Sequence, residues 1–215
     1  MKPDLIIFNI EGTLLDTESI LMKAYEVTLR GMNIKYDKVQ LYNLVRKTVK
    51  TTEEKLNEYY GSEIITEMVK YSKDAVFKRI LKDEEVSIKS GVQTLLGYLK
   101  EKKYKLAIGT SLCKNEAVKR LKDAKILEYF SYMVAREDIE KDKPSPEIFF
   151  KIAKYFNASP EKCIVFECSP VGILAAKSAR MIPLLAPSIV EPTEEMLIDS
   201  YKILGKIESA ITILD

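Results

Sequence analysis

Short apolar segments alternate with helical patterns along the chain beyond residue 84, and this alternation constrains the fold more than any other feature. The predicted strands are 5–8, 104–109, 132–135, 163–166 and 182–186, and the predicted helices are 92–99, 115–121, 146–156 and 171–179. Repeated β-α-β units imply a parallel sheet covered by helices on both faces. The sequence therefore predicts a doubly wound α/β fold, in which ligands bind beyond the carboxyl ends of the strands.

The segment 17–83 has a different character, because its apolar residues recur at helical spacing and no strand pattern appears. Gly31 and Gly61 punctuate this segment, which favours three or four short helices. We therefore predict a small all-helical cap domain at 17–83, inserted after the first strand. The core domain would consist of 1–16 and 84–215.

Composition narrows the classes of chemistry and partner. The 215 residues carry a formal net charge of +2, which predicts no nucleic-acid or membrane partner. The chain has no histidine, so histidine-based catalysis and metal ligation are excluded. Its three cysteines show no Cys-x-x-Cys spacing, which favours a reducing compartment. Without a recognisable signal peptide or membrane span, we expect a cytoplasmic location.

Polar residues cluster where the predicted strands end, the region in which such a fold binds its ligands. They are Asn9, Glu11 and Gly12 after the first strand, Thr110 and Ser111 after the second, Lys143 before Pro-Ser-Pro, and Glu167 and Cys168 after the strand 163–166.

In order and spacing these segments resemble the four motifs of the haloacid dehalogenase superfamily, and within it the β-phosphoglucomutase-like phosphatases. The first motif, Asp-x-Asp-Gly-Thr/Val-Leu-x-Asp-Thr/Ser-Glu, is similar to residues 9–18, which read Asn-Ile-Glu-Gly-Thr-Leu-Leu-Asp-Thr-Glu. Thr110 matches the second motif and Lys143 the third. The fourth, Val-Phe-Glu-Asp-Ser-x-x-Gly, is similar to Val-Phe-Glu-Cys-Ser-Pro-Val-Gly at 165–172. The resemblance implies a Rossmann-like core with a helical cap between the first two motifs.

What this resemblance implies for catalysis fails at two positions. In the family the first Asp attacks phosphorus to form an aspartyl-phosphate, and the second acts as general acid and base. Here Asn9 stands at the nucleophile position, and a neutral carboxamide cannot form an acyl phosphate. Glu11 stands at the acid–base position with one extra methylene, and a misplacement of about 1 Å can cost roughly 10²-fold in rate.

The resemblance also implies a Mg²⁺ ion, held by the first Asp, a backbone carbonyl of the second, and acidic residues of the fourth motif. Glu167 keeps a carboxylate at its position, but Cys168 replaces an Asp, and a neutral thiol is a poor ligand for this hard cation. With Asn9 and Cys168 in place of two carboxylates, we expect weak Mg²⁺ binding or none.

The phosphate-binding positions are better kept. The resemblance implies that Gly12, Thr110, Ser111 and Lys143 contact the phosphoryl group. A family site with three Asp, one Glu, one Lys and Mg²⁺ would carry a formal charge of −1, and Glu11, Glu167 and Lys143 without a metal also carry −1. This equality leads to the hypothesis that the pocket accepts a phosphate without a metal, from Lys143, the Thr110 hydroxyl and N–H groups near Gly12.

Three functions follow from these residues. The first is a relative of β-phosphoglucomutase-like phosphatases whose chemistry is lost or severely weakened, and which binds a phosphorylated small molecule. The second is a slow phosphomonoester hydrolase in which Glu11 activates water directly. The third is a scaffold or partner-binding protein with a residual pocket, whose protein partner the sequence does not identify.

Some of these residues also have simpler interpretations. Cys168 could act as a thiolate nucleophile near Lys143, but a small residue filling a former metal site is the favoured interpretation. Lys103 and Arg180 stand where relatives usually have glycine in turns, and Arg46 is a third such position, so these loops need not keep the family's backbone geometry.

Overall fold

The computed structural model describes residues 2–45, 57–58, 63–83, 86–189 and 191–214; Gly61 and Arg46 lie outside these ranges. The strands are β1 (Leu5–Phe8), β2 (Leu106–Gly109), β3 (Tyr132–Val134), β4 (Cys163–Glu167), β5 (Ile182–Leu185) and β6 (Lys202–Ile203). The helices are α1 (Thr17–Gly31), α2 (Lys38–Val45), α3 (Glu63–Asp83), α4 (Val92–Glu101), α5 (Lys114–Asp123), α6 (Glu147–Phe156), α7 (Pro170–Ser178), α8 (Glu194–Asp199) and α9 (Ile211–Leu214). Within the described residues, no helix combines the length and the apolar content needed to cross a membrane.

The six strands form one parallel sheet in the order β3-β2-β1-β4-β5-β6, which confirms the predicted doubly wound architecture. Strand β1 lies between β2 and β4, with Phe8 level with Ile108 on one side and with Phe166 on the other. The segments that follow β1, β2 and β4 therefore emerge side by side at one edge of the sheet.

The central strands are apolar without interruption because both faces of the sheet are covered. Leu5 and Ile7 point to one face and Ile6 and Phe8 to the other, and all four are completely buried. The Phe8 ring stacks on Phe166 with ring centroids 4.5 Å apart. This dense core fixes the strand ends from which the polar residues project.

By its internal contacts the chain divides into two compact units. One comprises Met1–Asp16, Ser87–Ser188 and Pro192–Asp215, and contains the sheet. The other comprises Thr17–Val86 and Ile189–Glu191, and its described elements are helices α1 to α3. In the helical unit, Ile20 and Ala24 of α1 pack with Ile80 of α3.

The backbone at Lys103 and Arg180 keeps the geometry that glycine would adopt in these turns, a question that the sequence left open. Lys103 has φ +59° and Arg180 has φ +57°, so both occupy the left-handed region that glycine adopts most easily. The turns keep the left-handed conformation although a side chain is present. The chain accepts this local cost because each turn closes a helix by backbone hydrogen bonds, from Lys103 N–H to the Lys100 carbonyl and from Arg180 N–H to the Lys177 carbonyl.

Candidate functional site

The residues singled out at the strand ends lie in the unit that contains the sheet. Asn9 follows β1, Thr110 follows β2, and Cys168 follows β4. Lys143 comes from the segment before α6, and its ammonium group reaches both the end of β2 and the end of β4. Direct contacts join Asn9 and Cys168 around the Glu11 carbonyl, and Lys143 and Cys168 around the Glu167 carboxylate, whereas no contact of the described residues joins Thr110 to either network.

The Asn9 side chain is engaged with the backbone of its own loop. Its amide Nδ2 donates to the carbonyl oxygen of Glu11 at 3.0 Å, and its backbone N–H donates to the Phe166 carbonyl at 3.0 Å. The side chain at the nucleophile position therefore presents N–H hydrogens to the loop rather than a negative oxygen. This orientation is available to a carboxamide and not to a carboxylate, which has no donor.

The Cys168 thiol donates to the same carbonyl. Its Sγ lies 3.4 Å from the Glu11 carbonyl oxygen, within the distance of a hydrogen bond from sulfur. The Glu11 carbonyl thus accepts from both Asn9 and Cys168. The resemblance implies that the residues at positions 9 and 168 and the backbone carbonyl of residue 11 together bind a cation. Here the two side chains instead donate hydrogen bonds to that carbonyl.

The Glu11 carboxylate is paired with an arginine that the motif analysis did not identify. Arg120 of α5 donates from Nη1 to Glu11 Oε1 at 2.9 Å and from Nη2 to Glu116 Oε1 at 2.5 Å. The Arg120 side chain is only 6% exposed. One sequence pattern indicates part of this arrangement: Glu116 and Arg120 are four residues apart on a predicted helix, a spacing that favours an ion pair between them. No pattern indicated the contact with Glu11, 109 residues away.

Glu167 lies at the centre of the second network and is completely buried. Its carboxylate accepts from Lys143 Nζ at 2.5 Å, from the Cys168 N–H at 3.0 Å, and from the Ser169 N–H and hydroxyl at 3.3 and 3.1 Å. The Ser169 hydroxyl in turn accepts from the Gly172 N–H at 3.1 Å and caps α7. A buried carboxylate needs this many donors to offset the loss of hydration.

The Lys143 ammonium is almost enclosed, with a side chain that is 4% exposed. Besides Glu167 it donates to the Gly109 carbonyl at 3.1 Å, and it lies 5.4 Å from the centre of the Phe149 ring. An ammonium group has three N–H donors, and among the described residues Glu167 and Gly109 take two of them. One donor is left for a ligand at the carboxyl ends of β2 and β4.

Thr110 is 1% exposed, and its hydroxyl oxygen accepts from the Leu112 N–H at 3.2 Å. In the part of the chain that the structure describes, no acceptor takes the hydroxyl proton of Thr110. Ser111 follows at the exposed edge of the same loop. The loop after β2 therefore carries two hydroxyl groups directly after Gly109, whose carbonyl accepts from Lys143 Nζ at 3.1 Å.

Gly12 supports the loop through its backbone conformation. It has φ +67°, a conformation that favours glycine, and its N–H donates to the Leu15 carbonyl at 3.0 Å. That N–H is thus used inside the loop. The Gly12 carbonyl accepts from Lys89 Nζ at 2.8 Å, and the same ammonium group donates to the Pro187 carbonyl at 2.6 Å. Lys89, like Arg120, was absent from the sequence-based candidates.

The residues present do not fit the Mg²⁺ ion that the resemblance implies. Glu167 uses its oxygens on four donors, Glu11 directs Oε1 to Arg120, and the Glu11 carbonyl is occupied by an amide and a thiol. Mg²⁺ needs near-octahedral oxygen ligands, usually carboxylates and water. Over the described ranges, no group of three or more Cys, Asp or Glu side chains is placed to hold a metal ion.

Comparison with known proteins identifies the family. The family model described as haloacid dehalogenase-like hydrolase matches residues 6–185. A phosphorylated carbohydrates phosphatase of Thermotoga maritima is 34% identical over 182 residues, which cover 81% of this chain and 80% of that protein. A putative pyrophosphatase PpaX of Caldanaerobacter subterraneus subsp. tengcongensis is 28% identical and covers 83% of this chain and 79% of its own length.

Solved structures give the same result. The crystal structure of a putative β-phosphoglucomutase from Thermotoga maritima superposes with a TM-score of 0.74 at 27% identity, covering 100% of this chain and 98% of that one. Together with the strand order and the four motif segments, these matches place the sequence among relatives that are named as phosphatases and β-phosphoglucomutases. The chain belongs to the haloacid dehalogenase-like hydrolase family.

Proposed function

We propose that this protein binds a phosphorylated small molecule and has lost, or retains only in severely weakened form, the phosphoryl transfer of its family. The observation that carries the proposal is the hydrogen bond from Asn9 Nδ2 to the Glu11 carbonyl at 3.0 Å. It commits the side chain at the nucleophile position to a structural contact. A carboxamide is neutral and a poor nucleophile, so no acyl phosphate forms there.

The second catalytic position is also altered. Glu11 Oε1 forms an ion pair with Arg120, whose guanidinium is shared with Glu116. The Glu11 Oε1 atom is thereby held in a charge-assisted hydrogen bond at 2.9 Å to an arginine that is only 6% exposed. The two residues that would carry out transfer and proton exchange therefore support the fold instead.

Phosphate binding needs fewer groups than phosphate transfer, and these groups are present. The remaining Lys143 N–H, the Thr110 hydroxyl and Ser111 would donate to phosphoryl oxygens at the carboxyl ends of β2 and β4. The Gly12 N–H is not included, because it donates to Leu15. The Lys143–Glu167 pair keeps the amine fixed between the ends of β2 and β4.

The ligand class follows from the relatives. The Thermotoga maritima relative is named for phosphorylated carbohydrates, and by this likeness we propose a sugar phosphate as the ligand. The helical unit would correspond to the cap domain of the family. Nucleic acid and membranes would not be partners, and the location would be cytoplasmic. Mg²⁺ would contribute little or nothing.

The test combines turnover with binding. Hydrolysis of p-nitrophenyl phosphate is measured with and without Mg²⁺ for the natural chain and for the Asn9→Asp, Glu11→Asp, Cys168→Asp triple variant. Binding of sugar phosphates is measured by calorimetry for the natural chain, for Thr110→Val and for the control Thr212→Val, whose exposed hydroxyl donates to the Ser209 carbonyl. We expect an inert natural chain whose binding is weakened by Thr110→Val alone, and a triple variant that turns over with Mg²⁺.

A natural chain that hydrolyses the ester, and loses that activity with Thr110→Val, would contradict loss of catalysis. Loss of catalysis without any sugar phosphate binding would instead favour a scaffold with a residual pocket.

A slow hydrolase is the second candidate, and one observation favours it. Glu11 is 36% exposed, and Oε2 has no partner among the described residues, since Arg120 contacts Oε1. An exposed carboxylate oxygen at the acid–base position could accept a proton from water. Under this alternative, Glu11→Gln abolishes a residual metal-independent release of phosphate, and the conservative variant Glu116→Gln on the other arm of Arg120 leaves it in place.

A further inference from the structure

Two consecutive backbone carbonyls at the carboxyl edge of the sheet are occupied by hydrogen-bond donors from three parts of the chain. The Glu11 carbonyl accepts from Asn9 Nδ2 and Cys168 Sγ, and the Gly12 carbonyl accepts from Lys89 Nζ. These donors come from the end of β1, the end of β4 and the segment before α4. The Lys89 ammonium also reaches the Pro187 carbonyl beyond β5.

We infer that these donors take the place of a divalent cation, so that the loops at this edge are held together by the chain itself and the protein is indifferent to Mg²⁺. The inference does not depend on the proposed function, because it concerns what stabilises the site and not what binds there.

The chemistry of the contacts supports this inference. A cation in an oxygen site draws carbonyl and carboxylate oxygens from several loops toward one positive centre. Here an amide N–H, a thiol S–H and an ammonium group place positive hydrogens on carbonyl oxygens of the loop after β1. Hydrogen bonds therefore connect the loops that a cation would connect. Lys89 supplies a full positive charge, and the N–H and S–H groups of Asn9 and Cys168 supply partial positive charges.

The substitutions also remove the reason for needing a cation. Aspartates at positions 9 and 168 would add two negative charges beside Glu167 and require a counter-charge. Asn9 and Cys168 carry none, and Glu167 is balanced by Lys143 at 2.5 Å. A Mg²⁺ ion entering this site would meet N–H, S–H and ammonium donors, which repel it.

The experiment measures thermal unfolding of the full chain in EDTA, in millimolar MgCl₂ and in NaCl of equal ionic strength. We expect no difference between MgCl₂ and NaCl for the natural chain. The Asn9→Asp, Cys168→Asp double variant is expected to unfold earlier than the natural chain in EDTA. With Mg²⁺ at roughly 100 times its Kd, its midpoint should rise by about 5–10 °C.

The inference would be overturned if MgCl₂, but not NaCl, raised the unfolding midpoint of the natural chain. It would also be overturned if the double variant folded and Mg²⁺ left its unfolding midpoint unchanged. Two further measurements keep it falsifiable if the double variant does not fold. Calorimetric titration of the natural chain with MgCl₂ should give no binding heat beyond dilution. Lys89→Met should lower the unfolding midpoint more than the exposed control Lys119→Met does. Equal effects of the two changes would contradict the proposal that Lys89 stabilises the loop after β1.

Discussion

The Lys143 ammonium lies 2.5 Å from the Glu167 carboxylate in a position almost closed to solvent. The Lys143 side chain is 4% exposed and the Glu167 side chain 0%. Each charge has lost its hydration and relies on the other, together with Ser169 and the backbone around β4. Removing one partner would leave the other charge buried without compensation, which is far more costly than losing the attraction itself.

From this pair we predict that Lys143→Met lowers the free energy of unfolding by about 3–5 kcal/mol. The measurement is urea denaturation followed by circular dichroism. Lys119→Met is the matched control, because Lys119 forms an exposed pair with Asp123 at 2.8 Å and should cost about 0–1 kcal/mol. The double variant Lys143→Met, Glu167→Gln should be more stable than Lys143→Met alone. Equal losses for Lys143→Met and Lys119→Met would refute the prediction.

Gly172 gives a second prediction, because the backbone of α7 approaches Glu167 closely. A Cβ built at Gly172 would overlap the Glu167 carboxyl group, whereas a Cβ at Gly97 in α4 would have no neighbour within 4 Å. Gly172→Ala should therefore destabilise by about 1–3 kcal/mol. Gly97→Ala should stabilise by roughly 0.5–1 kcal/mol, since alanine favours the helix.

Urea denaturation of both alanine variants checks this pair of predictions in one experiment. Opposite signs are the expected outcome. A stabilising Gly172→Ala would show that Glu167 has room to move away from the helix, and that the Lys143 contact is not fixed by packing.

The sequence predicted the sheet and the strand-end residues because both depend on local patterns. Apolar runs such as 163–166 are long enough to mark buried parallel strands, and the carboxyl ends of neighbouring strands meet at one edge. Three later elements were missed. Strand β6 has two residues, both exposed, and helices α8 and α9 are six and four residues long, so none of the three leaves a periodic signal.

The contacts of Arg120 and Lys89 were not predictable in the same way. Arg120 meets Glu11 across 109 residues, and Lys89 meets Gly12 across 77. Each contact depends on the reach of a long side chain between segments that only the folded sheet brings together. Sequence patterns give the face on which a residue lies, not the distant partner that its charged end finds.

Arg180 carries a third prediction, concerning the two side chains held in the left-handed region. A non-glycine residue in the left-handed region costs about 1–2 kcal/mol, and glycine removes this cost. Glycine also loses more conformational entropy on folding, which offsets part of the stabilisation. Arg180→Gly and Lys103→Gly should therefore each stabilise by about 0.5 kcal/mol, observed as a higher urea midpoint. Lys105→Gly is the control, since Lys105 is not among the residues with positive φ, and it should destabilise. Destabilisation of all three would mean that the Arg180 and Lys103 side chains contribute more than their strain costs.

The last prediction is a loss of stability in alkaline solution caused by Cys163. Burial raises the pKa of the Cys163 thiol from 9.0 to about 12, with the Asp4 and Glu161 carboxylates adding to the effect. Below pH 9 the thiol is protonated in both the folded and the unfolded chain, so it contributes no pH dependence. Between pH 9 and about 12 the unfolded chain releases this proton and the folded chain keeps it, so stability falls as pH rises.

The measurement is the difference in unfolding free energy between the natural chain and Cys163→Ala as pH is raised. Lysine and tyrosine titrations are common to both proteins and cancel in this difference. The advantage of the natural chain over Cys163→Ala should shrink above pH 9, the ordinary thiol value. Cys113→Ala, which removes an exposed thiol, is the control variant. Parallel pH profiles for the natural chain and Cys163→Ala would mean that the folded protein opens far enough to ionise this thiol, in conflict with its complete burial at the start of β4.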